Sequence, residues 1–546
     1  MSAPLGSDKG GYATTEGNPL VVAPSGVSFS GVTQTDILAL SMGVPTLNVA
    51  VTQPWQLAAG NYVPAKMPPV IIHPRPQAET NPDAYCKNAY PGLHWEIPIS
   101  VQGGAWPFKY EIVTGPVGMT IGQTLTVSGD VQVVGSDYGV LSWPNPTGTS
   151  ENIEIKVTDQ DGTVVTVTWT LTIGTANHIF VDASAASEGT GTLADPLKTF
   201  HAGVYESSDT ANSFLGKVVH YKAGTYQIHN GTSGINANLS NAYKPRSHVA
   251  WHNGTSFDSV TFDMTTGFFW AYSDDLFIGN IICDGIKPAA ADPRMFSLGA
   301  LTQQRVTFYK NTIKNLTTNN FGGTDNTCFC FGSSGASGKR RYVSMIRNTH
   351  DTTSTASLAI FYDVQSINIE HNVADGCTWV FPAGAGSNGA GWLDMKSDII
   401  SATIRRNSVQ GALSADQMVL CLGNNIETNG VEFCWNVFEG SSSGVNSFVT
   451  WNQSTLGITA NQYSYRNTVI QAIGGACRFY NNSVSNTVQV EGDAVYGEKF
   501  AFNGTLGVTY SAADREFAAS DFDANNNLTG VARTNYLGTH GYEVKA

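Results

Sequence analysis

Eight segments share one pattern, apolar-x-x-Asn-x-apolar: FIGNII (277–282), FYKNTI (308–313), MIRNTH (345–350), IEHNVA (369–374), IRRNSV (404–409), FCWNVF (433–438), SYRNTV (464–469) and FYNNSV (479–484). The asparagines are Asn280, Asn311, Asn348, Asn372, Asn407, Asn436, Asn467 and Asn482, and all steps but the last lie between 24 and 37 residues. A second run of short apolar strands precedes most of these units: RMFSL (294–298), TCFCF (327–331), LAIFYD (358–363), WLDMK (392–396), MVLCL (418–422) and FVTW (448–451). With Phe296, Phe329, Phe361, Leu393, Leu420 and Val449 as markers, this series repeats every 27 to 33 residues. Two strand series therefore share a period near thirty. Single strands of this kind cannot bury their apolar faces alone; stacked as successive coils they make one continuous interior. Each coil then advances by about 4.8 Å, the inter-strand spacing. The recurrent Asn suits a tight corner, because it tolerates the left-handed conformation and its amide can bond neighbouring coils. The ladder reads as structural rather than ligand-binding.

The chain upstream is different. Only 7 of the 41 asparagines lie in the first 174 residues, which places a boundary near 175. Between 70 and 174 short alternating strands recur between turns, among them WEIPISV (95–101), FKYEIV (108–113), IEIKV (153–157) and VVTVTWTLTI (164–173). That spacing predicts a small β-sandwich. The turn Asp159-Gln160-Asp161-Gly162 joins the last two strands as a hairpin. Its two carboxylates could ligate calcium, but an ordinary turn is the simpler reading. Residues 1–69 are rich in Gly, Pro, Ser, Thr and Val, yet Val21, Val22, Phe29, Leu38, Val49 and Trp55 are too apolar for a plain linker. They read as an extended arm ordered against a partner. The segment 500–546 is expected to cap the last coil, since a bare coil end exposes unpaired strand edges.

Composition narrows function. Lys+Arg is 29 against Asp+Glu 43, a net charge of −14, which argues against a nucleic-acid partner. No apolar run reaches the roughly 18 residues of a membrane span. The first twenty residues hold no basic stretch followed by an apolar one, so export by that route is not expected. The eight cysteines include no C-x-x-C pair, and buried free thiols are the expectation. No metal and no cofactor is expected.

Segments 107–121 (PFKYEIVTGPVGMTI), 138–146 (YGVLSWPNP) and 153–173 resemble bacterial immunoglobulin-like or cadherin-like modules. The repeats, with the entry HIFVDASAASEGTGTLADPLKTFHAG (178–203) and VVHYKAGTYQI (218–228), resemble right-handed parallel β-helix proteins of the pectate-lyase-like superfamily. The resemblance implies an all-β chain: arm 1–69, immunoglobulin-like β-sandwich 70–174, right-handed parallel β-helix 175–499 and cap 500–546. That superfamily includes polysaccharide lyases, glycoside hydrolases, epimerases and phage tailspikes, and fold alone does not choose among them.

Long side faces suit extended polymers, and the outward residues of the second strand series are the candidates for a groove. If Tyr362 stacks on Leu393, Asp363 sits beside Asp394 about one coil away, a carboxylate separation suited to glycoside hydrolysis. A slip by two residues sets Asp363 beside Lys396 instead, an ordinary ion pair, and if Phe361 points inward the carboxylate pair is lost. Trp392, Trp451 and Tyr362 are the candidate sugar-stacking rings, with Trp379 and Trp435 as further rings. Lyase chemistry needs a base and a cation, for which His371, Lys396, Arg405 and Arg406 are the candidates. The arm, spacer, long β-helix and reduced cysteines together point to a bacteriophage virion surface protein, tailspike-like or capsid-decorating. Its partners would be other virion proteins through 1–69 and a host-surface polysaccharide, and a homotrimer is one open assembly. A secreted polysaccharide lyase or glycoside hydrolase, and a purely structural decoration protein, are the alternatives.

Overall fold

The computed structural model describes residues 13–15, 18–20, 62–75, 85–128, 131–200, 217–228, 237–238, 247–265 and, between 269 and 520, strands with the tight turns that join them. The chain divides into two compact units, 1–54 and 55–546. In the first, Ala13–Thr15 pairs antiparallel with Asn18–Leu20. The second holds all that follows.

Residues 70–173 form small sheets, nearly all antiparallel. One has three strands, in the order Trp95–Pro98, Val140–Trp143, Thr120–Ile121. Another has four, in the order Asn88–Ala89, Val164–Ile173, Ser150–Thr158, Lys109–Thr114. Alternation explains the burial: Val167, Trp169, Leu171 and Ile173 are buried while Thr166, Thr168, Thr170 and Thr172 between them are not. These side chains share one core with Trp95, Ile97 and Leu141 of the three-stranded sheet. The indole N–H groups of Trp95 and Trp169 donate to the Tyr85 and Cys86 carbonyls at 3.0 and 2.8 Å, so neither ring buries an unpaired donor. The Asp159–Gly162 segment is a turn, as expected. Buried Asp159 accepts from the Thr163 and Ala105 amides at 2.7 and 3.1 Å, and Gly162 takes the left-handed conformation.

From His178 onward the chain builds three parallel sheets of 12, 11 and 10 strands and visits them in rotation. Arg305–Tyr309 lies in the first, Thr312–Thr318 in the second and Thr327–Phe331 in the third; Arg340–Ile346 then returns to the first beside Arg305–Tyr309. In the first sheet Val306, Val343, Ile367, Ala402 and Val431 stand in register, as do Phe308, Met345, Ile369, Ile404 and Phe433. All ten are buried in one continuous core. Rings stack along the coil in the third sheet, Phe296 on Phe329 and Phe331 on Phe361, each pair 4.9 Å apart and within 9° of parallel.

The Asn ladder is structural, but its geometry differs from the expected corner. The amides of Asn311, Asn348, Asn372 and Asn407 donate to the Oδ1 of the next ladder Asn at 2.9–3.0 Å. Each Nδ2 reaches back to a carbonyl of the rung before, as Asn348 does to Phe308 at 3.0 Å and Asn372 to Met345 at 2.8 Å. These side chains are buried, and the left-handed residue is the one before each: Lys310, Arg347, His371, Arg406 and Trp435, with φ between 52° and 59°. Among the described ladder residues only Asn280 is itself left-handed; there Ile281 takes the ladder position and its amide donates to Asn311. An amide side chain saturates its bonds only when directed between rungs, so the Asn turns inward and its predecessor makes the corner.

Two strand markers also shift. Phe296 pairs with Phe329, but Phe329 pairs with Ala359 rather than Phe361, and Leu393 with Val419 rather than Leu420. The stretch Ser357–Tyr362 is apolar at both parities, and the stacking of Phe361 on Phe331 decides which residues face inward.

Residues 62–174 are not a spacer ahead of the coil; they lie along the outer face of its first sheet. Their contacts run from Asn88 with Asn177 (2.8 Å) to Trp106 with Trp435 (ring centroids 5.5 Å) and Lys66 with Glu491 (2.8 Å). Val63 and Met67, expected in the arm, are buried in that same core, so the body begins before residue 70.

Candidate functional site

The structure describes only part of the groove expected on the third sheet. Asp363 lies outside the described residues. Asp394 and Lys396 lie on Leu393–Ser397 and Trp451 on Ser447–Asn452, and the side chains of all three are outside the described residues. The register is neither of the two weighed from sequence: Phe361 pairs with Met395, and Tyr362 pairs with Ser397 after an irregularity. Phe361 points into the core. Trp392 is fully buried inside the coil and Tyr362 is 6% exposed, so neither offers a ring face to a sugar. Burial removes Trp435 from that list as well.

The described chemistry concentrates instead in the seam between residues 62–174 and the first sheet. Its centre is an ion pair, Arg405 with Glu370, at 3.3 Å from Nε to Oε1 and 3.2 Å from Nη2 to Oε2. Arg405 also donates to the Val101 and Gly103 carbonyls at 2.7 and 3.2 Å, and its guanidinium stands 4.8 Å from the Phe108 ring centroid. Burial alone would lower its pKa; Glu370 beside it outweighs that and holds the guanidinium charged. Around the pair, Ser100 bonds Ser344 and Asn368 at 2.9 Å, Gln102 accepts from Ser401 at 3.1 Å, and the Gly103 amide donates to Thr403 at 2.9 Å. Gly103 has φ +67°, and a Cβ there would come within 2.4 Å of the Pro68 carbonyl oxygen, so this close approach demands glycine.

The corner column supplies the second set of contacts. Lys310 pairs with Glu96 at 2.9 Å, Arg347 donates to the Gly135 and Tyr138 carbonyls at 3.0 and 2.9 Å, and Arg406 lies 3.9 Å over the Trp106 ring. Left-handed corner residues project outward, so a basic or aromatic residue placed just before each ladder Asn forms a column that grips the small sheets. Burial would raise the Glu96 carboxyl, but hydrogen bonds and charge from His94 and Lys310 pull it down to about 2. The signal in the sequence is the basic or aromatic residue before the Asn in FYKN, MIRN, IRRN and FCWN.

Arg405, Arg406 and His371, expected as outward groove residues, are therefore seam residues. Arg405 is fully covered and Arg406 nearly so. Ser142 Oγ and Glu96 Oε2 both approach the same nitrogen of His94, at 3.5 and 3.4 Å. A nucleophile–base–acid relay needs them on opposite ring nitrogens, so this is not one. A cleft of about 310 Å³, mouth included, opens beside the seam between His73, Tyr85, Phe277, Arg305 and Thr307. Among the described residues no group of three or more His, Cys, Asp or Glu is placed to hold a metal ion. Among the same residues no helix is long and apolar enough to cross a membrane. Neither a family model nor a curated protein matches the chain.

Proposed function

We propose that the three-sheet coil is a right-handed parallel β-helix, that residues 70–174 are an immunoglobulin-like module docked along it, and that the protein is a bacteriophage surface spike presenting the coil to host-surface polysaccharide. The observation that carries this reading is the in-register stacking of 12, 11 and 10 parallel strands. Twelve rungs at 4.8 Å make a stiff rod roughly 50 Å long with flat faces, suited to an extended polymer. The outer face of the first sheet is covered by the module, which leaves the other two for a ligand. Burial of Arg405 and Arg406 argues against catalysis by those two, and burial of Trp392 and Tyr362 against stacking of those rings on a sugar. Cys283 is a buried free thiol, in keeping with synthesis in a reducing compartment.

The test has two parts. Particles assembled with a chain lacking residues 1–54 should lose the protein while the purified truncated chain keeps its β-rich circular dichroism. Full incorporation of the truncated chain would remove the anchoring role. Purified full-length protein should co-sediment with host cells and not with cells stripped of surface polysaccharide; equal sedimentation with both would end the glycan reading.

A further inference from the structure

We propose that the seam is an acid-sensitive latch: protonation of the histidines paired across and beneath it releases residues 62–174 from the coil while the coil stays intact. This goes beyond the functional reading above and does not depend on it.

Among the described residues, six histidines lie at the seam: His73, His94, His178, His220, His252 and His371. Two pairs stand out. His94 of the small sheets stacks on His252 of the coil, ring centroids 4.2 Å apart and 16° from parallel. Protonating both rings puts two like charges face to face. His178 Nδ1 and His220 Nε2 are 2.8 Å apart in the first two rungs, under the edge of Tyr90. One nitrogen must donate and the other accept, so that bond exists only while at least one ring is neutral. His73 completes the set, meeting Thr307 across the seam at 3.1 Å.

The surrounding charge offers a new cation little compensation. His73 shares its cleft with Arg75 and Arg305. Lys217 is the charged group acting on His178. His371 has Glu370 at 3.5 Å, but that carboxylate already holds Arg405, and Arg347 and Arg406 add positive charge. At the stacked pair compensation is partial: Glu96 lies 3.4 Å from His94 but also binds Lys310, and Glu96 and Asp258 offset part of the burden at His252. Burial holds His73 down to about 3 and His178 to about 4, with His220 and His371 well below the ordinary value.

His73, His178, His220 and His371 take their protons only when the seam opens. The closed seam is therefore fully favoured above the ordinary histidine value of 6.5 and loses that preference as pH falls from there towards 4. At pH 5 the opening equilibrium shifts by about thirtyfold for each such histidine. His248 and His350 are also buried, but inside the coil, where admitting a proton means unpairing whole strands.

Two amides report the latch directly: Tyr85 donates to Ser247 Oγ and Gly103 to Thr403 Oγ1, both across the seam. The amides of Asn348 and Asn372 report the coil. Hydrogen-exchange protection of the full chain should fall at least tenfold at Tyr85 and Gly103 between pH 7 and pH 4.5, with Asn348 and Asn372 unchanged. Unchanged protection at the seam amides overturns the proposal, as does their loss only together with the ladder amides. The fall should be smaller in the double variants H94Q/H252Q and H178N/H220N. An undiminished fall in both shows that the histidines are not the trigger. If the buried pair does not fold as a variant, the half-exposed pair H94Q/H252Q decides alone.

Discussion

The interior of the coil and the seam along its flank are both buried, yet they are built on opposite rules. Inside, each rung meets a near-copy of itself, so the same solution recurs: Val, Ile and Phe in register, rings stacked on rings, and one Asn per rung whose amide is satisfied by the next. At the seam a non-repeating set of small sheets meets a repeating face, and nearly every contact is different. Arg405 binds Glu370, Arg347 binds carbonyls, Arg406 covers Trp106 and Ser100 bridges Ser344 and Asn368. Apolar stacking tolerates sliding by a rung; directional polar contacts do not. The seam thus specifies where along the coil the small sheets sit, and the price is a layer of buried charge and neutral imidazole.

The largest effect expected from this contrast is at the buried pair. Arg405→Met leaves Glu370 buried beneath the small sheets without its cation, and should cost about 3–5 kcal/mol in the denaturation of the seam. Adding Glu370→Gln should restore much of that loss; a double variant as weak as the single one would mean that the pair contributes through packing rather than charge. Next comes the interior. Asn372→Ala removes an acceptor for the Asn348 amide and donors to Met345 and Asn407, and should cost about 2–3 kcal/mol in thermal unfolding. A cost below about 0.5 kcal/mol would show that water replaces the ladder bonds.

Smaller effects test the corner. Asn280 holds φ 60°, so Asn280→Gly should be neutral or stabilising by up to about 1 kcal/mol, whereas Asn280→Val should destabilise by about 1–2 kcal/mol. Equal melting temperatures for the two variants would contradict the strain argument. The smallest change is expected away from both regions. Glu111 bridges Lys109 and Lys156 on the small sheets at 2.9 and 2.7 Å, with all three partly exposed. Glu111→Gln should cost no more than about 0.5 kcal/mol, vanishing in high salt.

Much of this architecture was legible in sequence because a repeat leaves a repeat behind. The Asn series from 280 to 436 and the strands at 294–298, 327–331, 358–362, 392–396 and 418–422 mark rungs that the structure has, and the alternation in 164–173 marks a half-buried strand. The candidate site was not legible in the same way. Asp363, Asp394 and Lys396 were grouped by assuming that Tyr362 faces Leu393, but an apolar run such as SLAIFY satisfies either parity, and only the stacking of Phe361 on Phe331 selects one. Arg405 and Arg406 looked solvent-facing because alternation distinguishes inside from outside, and their outside is covered by another part of the chain.

The sequence alone determined the period, the all-β class and the structural use of Asn, since these depend on neighbours one rung apart and every rung repeats the same instruction. Tertiary structure alone decided which residue turns each corner, which parity the third-sheet strands adopt, and that residues 62–174 lie along the coil rather than before it. Those choices depend on contacts between segments up to some three hundred residues apart, such as Val101 with Arg405, each made once and without a pattern to announce it.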